Sequence, residues 1–311
     1  MAQTTASAYR VGTHPEHPRI KRIELDSQAV RQFREKVKDV DLQRIEYVPF
    51  IRFYVADQFR QVVGDEFVDL IRSTLTDRAT GAFMVCLNDD VKSDKLEDHV
   101  KLSTAVTHLI GTPNHDAMSG KFYATFSVKH TDESDTYLRK AYRNLEFHTD
   151  GAFVNEATDW LLMMKIKEVN AKGGESRLLH LDDWEDLDKF RRHPLATHKF
   201  KITYADRKSK NTQDVVYAPI FYQINNGTCI RFNDQATHPE TVEEGLYLKN
   251  ISDSMENSKG VRAIKLPEGH FVMINNHFWV HGREAFEPHP ELYRELLRQR
   301  GSFSNAPYVT H

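Results

Sequence analysis

From Phe122 onward the chain breaks into short runs rich in β-branched and aromatic residues, and this succession constrains the fold more than any other feature. The runs lie at 122–128, 145–150, 160–166, 176–181, 199–204, 215–223, 228–232, 261–266 and 270–275, a spacing that predicts a β-sandwich or barrel. Helical inserts are expected at 182–192 and 240–255. The preceding third has helical periodicity instead, at 27–40, 64–76 and 95–109, so residues 21–118 are expected to be mostly helical. Residues 1–20 carry prolines in His14-Pro15-Glu16-His17-Pro18, where regular structure would need backbone donors, and read as an extended N-terminal arm. With no internal repeat and no low-complexity segment, the expected layout is one α+β domain over 1–311, helices packed on a β-core.

Charge narrows the partners. The chain has 42 basic and 45 acidic residues, a net charge of −3, so no basic footprint points to nucleic acid and no polybasic tract to an anionic membrane. No apolar stretch approaches the roughly 20 residues of a membrane span, and the start Met1-Ala2-Gln3-Thr4-Thr5 lacks a secretory pattern. Cys86 and Cys229 are too few for a disulfide framework and read as buried, inert thiols of a reducing compartment, hence cytoplasmic. The expected partner is a small molecule.

His148-Thr149-Asp150 offers a carboxylate and an imidazole two residues apart, the spacing at which an extended chain presents both to one side. Chance alone would give roughly two His-x-Asp/Glu matches, so context must choose among this one and His14/Glu16, His130/Asp132, His180/Asp182, His238/Glu240 and His289/Glu291. Three of the rivals are His-Pro-Glu, where proline disfavours the strand and suggests turns or helix starts. His130 opens a polar run, and Asp182 is placed to cap the following helix. At His148, by contrast, Leu145, Phe147 and Thr149 alternate with Glu146, His148 and Asp150, one face for a core and the other for ligands. The bland alternative is a hydrogen-bonded core histidine followed by a turn aspartate. A third ligand would come from 269–281, which reads as strand, turn and second strand ending at His281, with His270 and His277 as competitors. Two imidazoles and one carboxylate hold a divalent metal on one triangular face and leave the opposite positions open.

The ordered set His148-Thr149-Asp150, Gly173-Gly174-Glu175-Ser176, the glycine-led apolar run ending in Asn275-Asn276, and His281-Gly282-Arg283 resembles the Fe(II)/2-oxoglutarate-dependent dioxygenases of the taurine dioxygenase, clavaminate synthase and γ-butyrobetaine hydroxylase group. The segments 147–153, 178–184 and 295–301 extend the similarity over most of the chain to the glutarate-hydroxylating branch of that group. The resemblance implies a double-stranded β-helix, or jelly-roll, with flanking helices. It also implies Fe(II) on His148, Asp150 and His281, with 2-oxoglutarate as cosubstrate. The implied reaction is hydroxylation of glutarate to L-2-hydroxyglutarate while 2-oxoglutarate and O2 become succinate and CO2, a step of lysine degradation, in a homotetramer.

In that group a Ser or Thr after the Gly-Gly step and an arginine beyond the last histidine hold the far carboxylate of 2-oxoglutarate, a geometry a bidentate guanidinium suits. Ser176 fits the first role, and Arg298 and Arg300 are the candidates for the second, with Arg294 also downstream of His281. The periodicity of Leu292, Leu296 and Leu297 reads as helix there, whereas the resemblance implies a strand that points Arg298 and Arg300 inward together. Asn144 and Arg143 are expected substrate contacts, and Arg283 a brace for the strand end. Rival readings are a dioxygenase of the same fold acting on another small acid, and a non-catalytic cupin-like metal-binding protein.

Overall fold

Alternation along 160–169 explains the architecture. Trp160, Leu162 and Met164 join one hydrophobic core, and Leu161 and Met163 join another. Successive strand residues point to opposite faces, so this strand is the partition between two buried layers. The computed structural model describes residues 7–116, 119–131, 140–155, 158–203, 215–225 and 227–304; Asp132 and Tyr204, which fall in expected segments, lie outside them.

The partition belongs to an eight-stranded sheet in the order Tyr9–His14, His17–Leu25, Ala82–Cys86, Phe271–Asn275, Trp160–Val169, Tyr293–Phe303 and Gly111–Pro113, with Ala124–Lys129 also paired to Tyr293–Phe303. One face is covered by the helices Ser27–Lys36, Leu42–Tyr47, Pro49–Val63, Asp65–Thr76 and Leu96–Ile110, whose Phe33, Phe59, Phe67, Val100 and Leu109 pack with Met273 and Leu297. The other face meets a four-stranded sheet ordered Arg262–Ile264, Ser176–His180, Trp279–Arg283 and Leu145–His148. Val272 and Ile274 share the core between the sheets with Leu178, Ile264 and Val280. Two facing, mainly antiparallel sheets flanked by helices make the jelly-roll arrangement.

Three expectations need correction. Residues 9–25 are no free arm: a tight turn at Pro15-Glu16 folds Tyr9–His14 back on His17–Leu25, which pairs parallel with Ala82–Cys86 and buries Ile20, Ile23 and Leu25. The prolines sit at the turn and at a strand start, where the missing donor costs little. A helix not anticipated, Pro49–Val63, begins on proline at a position whose N–H has no intrahelical partner anyway, and buries Ile51, Val55, Ala56, Phe59 and Val63 along one side. Finally, the helical periodicity at 292–298 is misleading, and the strand implied by the resemblance is the one formed, Tyr293–Phe303 with a register shift at Glu295/Leu296. Leu297 pairs with Met164 on the helix side, whereas Arg298 and Arg300 pair with Met163 and Leu161 and face the space between the sheets.

Candidate metal centre

His148 ends its strand directly opposite His281 on the neighbouring one, so the antiparallel ladder sets both imidazoles on one face with ring centroids 4.3 Å apart. Asp150 follows past the strand end, before Gly151 at φ 68°, and its Oδ1 lies 3.8 Å from His148 Nε2 and 3.6 Å from His281 Nε2. All three side chains are buried, and one donor atom from each falls within 4.8 Å of the others. The sequence expectation for these residues is thereby realised as a spatial cluster.

The protonation states suit a cation. His148 Nδ1 is 2.8 Å from the Glu146 carbonyl oxygen, which assigns a proton to Nδ1 and turns Nε2 toward the centre. Burial, with His148 and Arg298 nearby, pushes His281 down to about 3, so its imidazole is neutral. Burial alone would raise Asp150, but Arg298, His281, Arg300 and His148 outweigh it and hold the carboxyl below the usual range. Neutral imidazoles and an ionised carboxylate are what a divalent metal requires of its ligands. The buried Asp150 Oδ2 and His281 Nδ1 have no hydrogen-bond partner. Ligands of about 2.1 Å bonds sit about 3 Å apart at right angles around a metal, so Asp150 Oδ1 needs to close on each Nε2 by less than about 1 Å. The residues fit Fe(II).

The competing histidines are spent elsewhere. His270 Nε2 is 2.9 Å from the Leu87 carbonyl oxygen, and His277 sits between Asp159 at 2.9 Å and the Tyr222 hydroxyl at 2.5 Å. His14 and His289 each accept the backbone N–H two residues on, as expected of His-Pro-Glu turns. At His180 the capping is reversed from expectation: the imidazole accepts from Asp182 N, and Asp182 instead pairs with Arg78.

Around the triad the structure rearranges the expected anion contacts. Ser176 is buried and lines a pocket with Arg294, Lys165, Glu168, Lys265 and Leu266. Arg294 is itself buried, its Nε lacks a hydrogen-bond partner, and burial lowers its pKa to about 10. Ser176 therefore stands with Arg294, the arginine that the sequence offered behind Arg298 and Arg300; the glycine pair before Ser176 was a signal for the serine alone. Arg298 instead bridges carboxylates, with Nη2 donating to Asp116 Oδ2 at 2.8 Å and Nη1 3.0 Å from Asp150 Oδ2. Arg300 is buried on the same face.

Arg143 and Asn144 are occupied at the strand end. Arg143 pairs with Glu146 at 2.5 Å, and Asn144 Oδ1 accepts from Ala285 N at 2.9 Å. Arg283 braces that end as expected, donating to the carbonyls of Lys140 and Arg143. Asn276 has an unforeseen role: its amide accepts from Asp150 N at 3.0 Å and donates to the carbonyls of Asp150 at 2.9 Å and Thr158 at 2.8 Å. Only the Asn275-Asn276 doublet hinted at it.

A jelly-roll whose interior carries two histidines and one aspartate on a single face defines a mononuclear non-haem iron oxygenase scaffold. The chain belongs to the CsiD family, whose profile matches residues 9–303. It is 44% identical over 297 residues to the glutarate 2-hydroxylase of Citrobacter koseri, covering 94% of this chain and 91% of that protein. Among solved structures, asparagine oxygenase in complex with Fe(II), 2S,3S-3-hydroxyasparagine and succinate superposes with a TM-score of 0.71 at 14% identity, covering 90% of this chain and 93% of the other. The non-heme iron oxygenase OrfP in complex with Fe and alpha-ketoglutaric acid gives 0.64 at 15% identity, with 90% and 93% covered. These neighbours share the double-stranded β-helix core.

Proposed function

We propose that this chain hydroxylates glutarate at C2 to L-2-hydroxyglutarate, consuming 2-oxoglutarate and O2 and releasing succinate and CO2. The observation that carries this reading is the buried convergence of His148, Asp150 and His281 in a chain 44% identical to a glutarate 2-hydroxylase. When bound, Fe(II) supplies the oxygen chemistry together with 2-oxoglutarate, and the protein supplies placement and electrostatics.

His148, His281 and Asp150 would hold the metal, since the Nε2 atoms of the two histidines are the ones turned toward Asp150 Oδ1. Glu146 fixes the His148 ring through its carbonyl. Arg294 and Ser176 receive the far carboxylate of 2-oxoglutarate, since a buried guanidinium with an unused Nε beside a buried hydroxyl matches a carboxylate edge. Arg300, on the same face beside the triad, serves the second dicarboxylate, glutarate, while Arg298 is engaged by Asp116 and Asp150. The apolar core between the sheets keeps bulk water away from the reacting carbon.

Two further features complete the proposal. A homotetramer is supported by Tyr47, Phe50, Phe53 and Tyr54, which stand exposed on adjacent helices as an apolar surface of the kind subunit contacts cover. A cytoplasmic setting is supported by Cys86 and Cys229, both free and buried, and a place in lysine degradation follows from glutarate as the substrate. Among the described residues no helix is long and apolar enough to cross a membrane.

The test is product mass spectrometry from purified protein with Fe(II), ascorbate, 2-oxoglutarate and a panel of diacids. Glutarate should give one added oxygen and succinate in equal amounts. Stronger coupled turnover with another acid would move the chain to a different substrate, and no turnover with any acid would overturn the enzymatic reading.

A further inference from the structure

The two oxygens of Asp150 face different neighbours. Oδ1 points at the Nε2 atoms of both histidines, at 3.6 and 3.8 Å. Oδ2 is turned to Arg298 Nη1 at 3.0 Å, close enough for an ion pair though without the alignment of a hydrogen bond. The same guanidinium is anchored at its other nitrogen by Asp116, a buried carboxylate that in turn accepts from Ser119 N at 3.0 Å. Arg298 thus spans two acids from a strand whose pairing fixes its direction.

A buried acid beside the arginines of this face would oppose an incoming carboxylate unless its charge were committed elsewhere. The contact of Asp116 with Arg298 commits it. A carboxylate left to itself beside a divalent ion has two oxygens available, and chelation through both would consume a coordination position. A two-histidine, one-carboxylate face offers three open positions to a six-coordinate ion, all of them needed if a chelating cosubstrate and O2 are to bind together.

We propose that Arg298, anchored by Asp116, is a positioning residue that restrains Asp150 Oδ2 and so keeps Asp150 a single-oxygen ligand, preserving the open coordination position. The inference rests on the metal-centre reading above and adds what Asp116 and Arg298 do there. A guanidinium suits the task because its planar array reaches two carboxylates at once, which the point charge of lysine does not.

Mn(II) provides the probe, since its bound waters are counted by water-proton relaxation and no turnover is needed. On three protein ligands a six-coordinate ion keeps about three waters, and on four about two. Arg298→Lys preserves charge but removes the bridge; the expected result is a fall from about three waters to about two, with Mn(II) bound several-fold more tightly and 2-oxoglutarate several-fold more weakly. Opposite movements of metal and cosubstrate affinity are not produced by general loosening of the fold. Asp116→Asn keeps Arg298 and removes only its anchor, so it should lower the water count in the same direction to a smaller extent, and it serves if the lysine variant does not fold. Unchanged water counts in both variants would overturn the inference, as would two waters in the unaltered protein. Failure of the unaltered protein to bind Mn(II) would instead overturn the metal-centre reading and this inference with it.

Discussion

Gly282, between the metal-ligating His281 and the bracing Arg283, lies against the backbone of the strand that carries His148. A Cβ built there would stand 2.4 Å from the Leu145 carbonyl oxygen and 3.5 Å from Glu146 backbone atoms. Ordinary non-bonded contact is about 3.5 Å, so Gly282→Ala requires about 1 Å of retreat, and a backbone carbonyl cannot rotate away as a side chain could. Forcing such overpacking costs about 1–3 kcal/mol. The displaced strand runs from Leu145 to His148, opposite His281, so the retreat separates the two imidazoles. Against metal–nitrogen bonds of about 2.1 Å, a shift of about 1 Å is large, and a loss of roughly 10–100-fold in metal affinity is expected, the range seen when support for a ligand is removed. Mn(II) titration together with thermal melting of the metal-free protein measures both effects. Gly12→Ala is the control, because a Cβ there meets nothing within 4 Å. Wild-type Mn(II) affinity in Gly282→Ala would refute the claim that this close approach sets the histidine spacing.

His148→Ala should abolish the visible charge-transfer band formed on anaerobic addition of Fe(II) and 2-oxoglutarate; a persisting band would remove His148 from the centre. Arg294→Lys should raise the KM for 2-oxoglutarate by about tenfold or more through loss of bidentate geometry, with little change in glutarate KM, and steady-state kinetics in each substrate would expose the reverse pattern. Asn276→Ala strips hydrogen-bond partners from the Asp150 N–H and from the carbonyls of Asp150 and Thr158. A destabilisation of about 1–3 kcal/mol is expected by urea unfolding, accompanied by weaker Mn(II) binding; lost stability at full metal affinity would confine Asn276 to the fold. Burial pushes His17 down to about 4 and His108 to about 3, so the unfolded chain takes up these protons first. Their contribution to stability is complete above about pH 6.5 and falls away as pH drops toward the folded values, about 2 kcal/mol each at pH 5. Equal urea midpoints at pH 7.5 and pH 5 would contradict it.

The clustering of His148, Asp150 and His281 was legible because two local patterns agree: the two-residue alternation through Leu145–Asp150 presents both donors together, and His281 closes a strand–turn–strand run. The helices Ser27–Lys36, Asp65–Thr76 and Leu96–Ile110 were visible from apolar periodicity alone, for of these three just the first has a side-chain cap, Asp26 accepting from the N–H groups of Gln28 and Ala29. The strand Tyr293–Phe303 defeated periodicity because both of its faces are buried and a register shift interrupts the alternation, so Leu296 and Leu297 mimic a helical stripe. Which arginine meets Ser176 depends on registers across the sheets, information no local window contains. Asp116 gave no signal at all, since an acid in a loop becomes informative only when folding brings Arg298 to it.

The strand Tyr293–Phe303, neighbour of the partition strand, also has a helix-facing side, where Gln299 accepts from the Thr107 hydroxyl and donates to the Ser103 hydroxyl, each at 2.9 Å, between Arg298 and Arg300 on the opposite side. The helix Leu96–Ile110 therefore grips the same backbone that aims the arginines. Substitutions at Ser103 or Thr107, remote from any substrate atom, would tilt that backbone and retune which acids are accepted. Selection for altered diacid preference has a route through the outer wall, leaving the ligands themselves untouched.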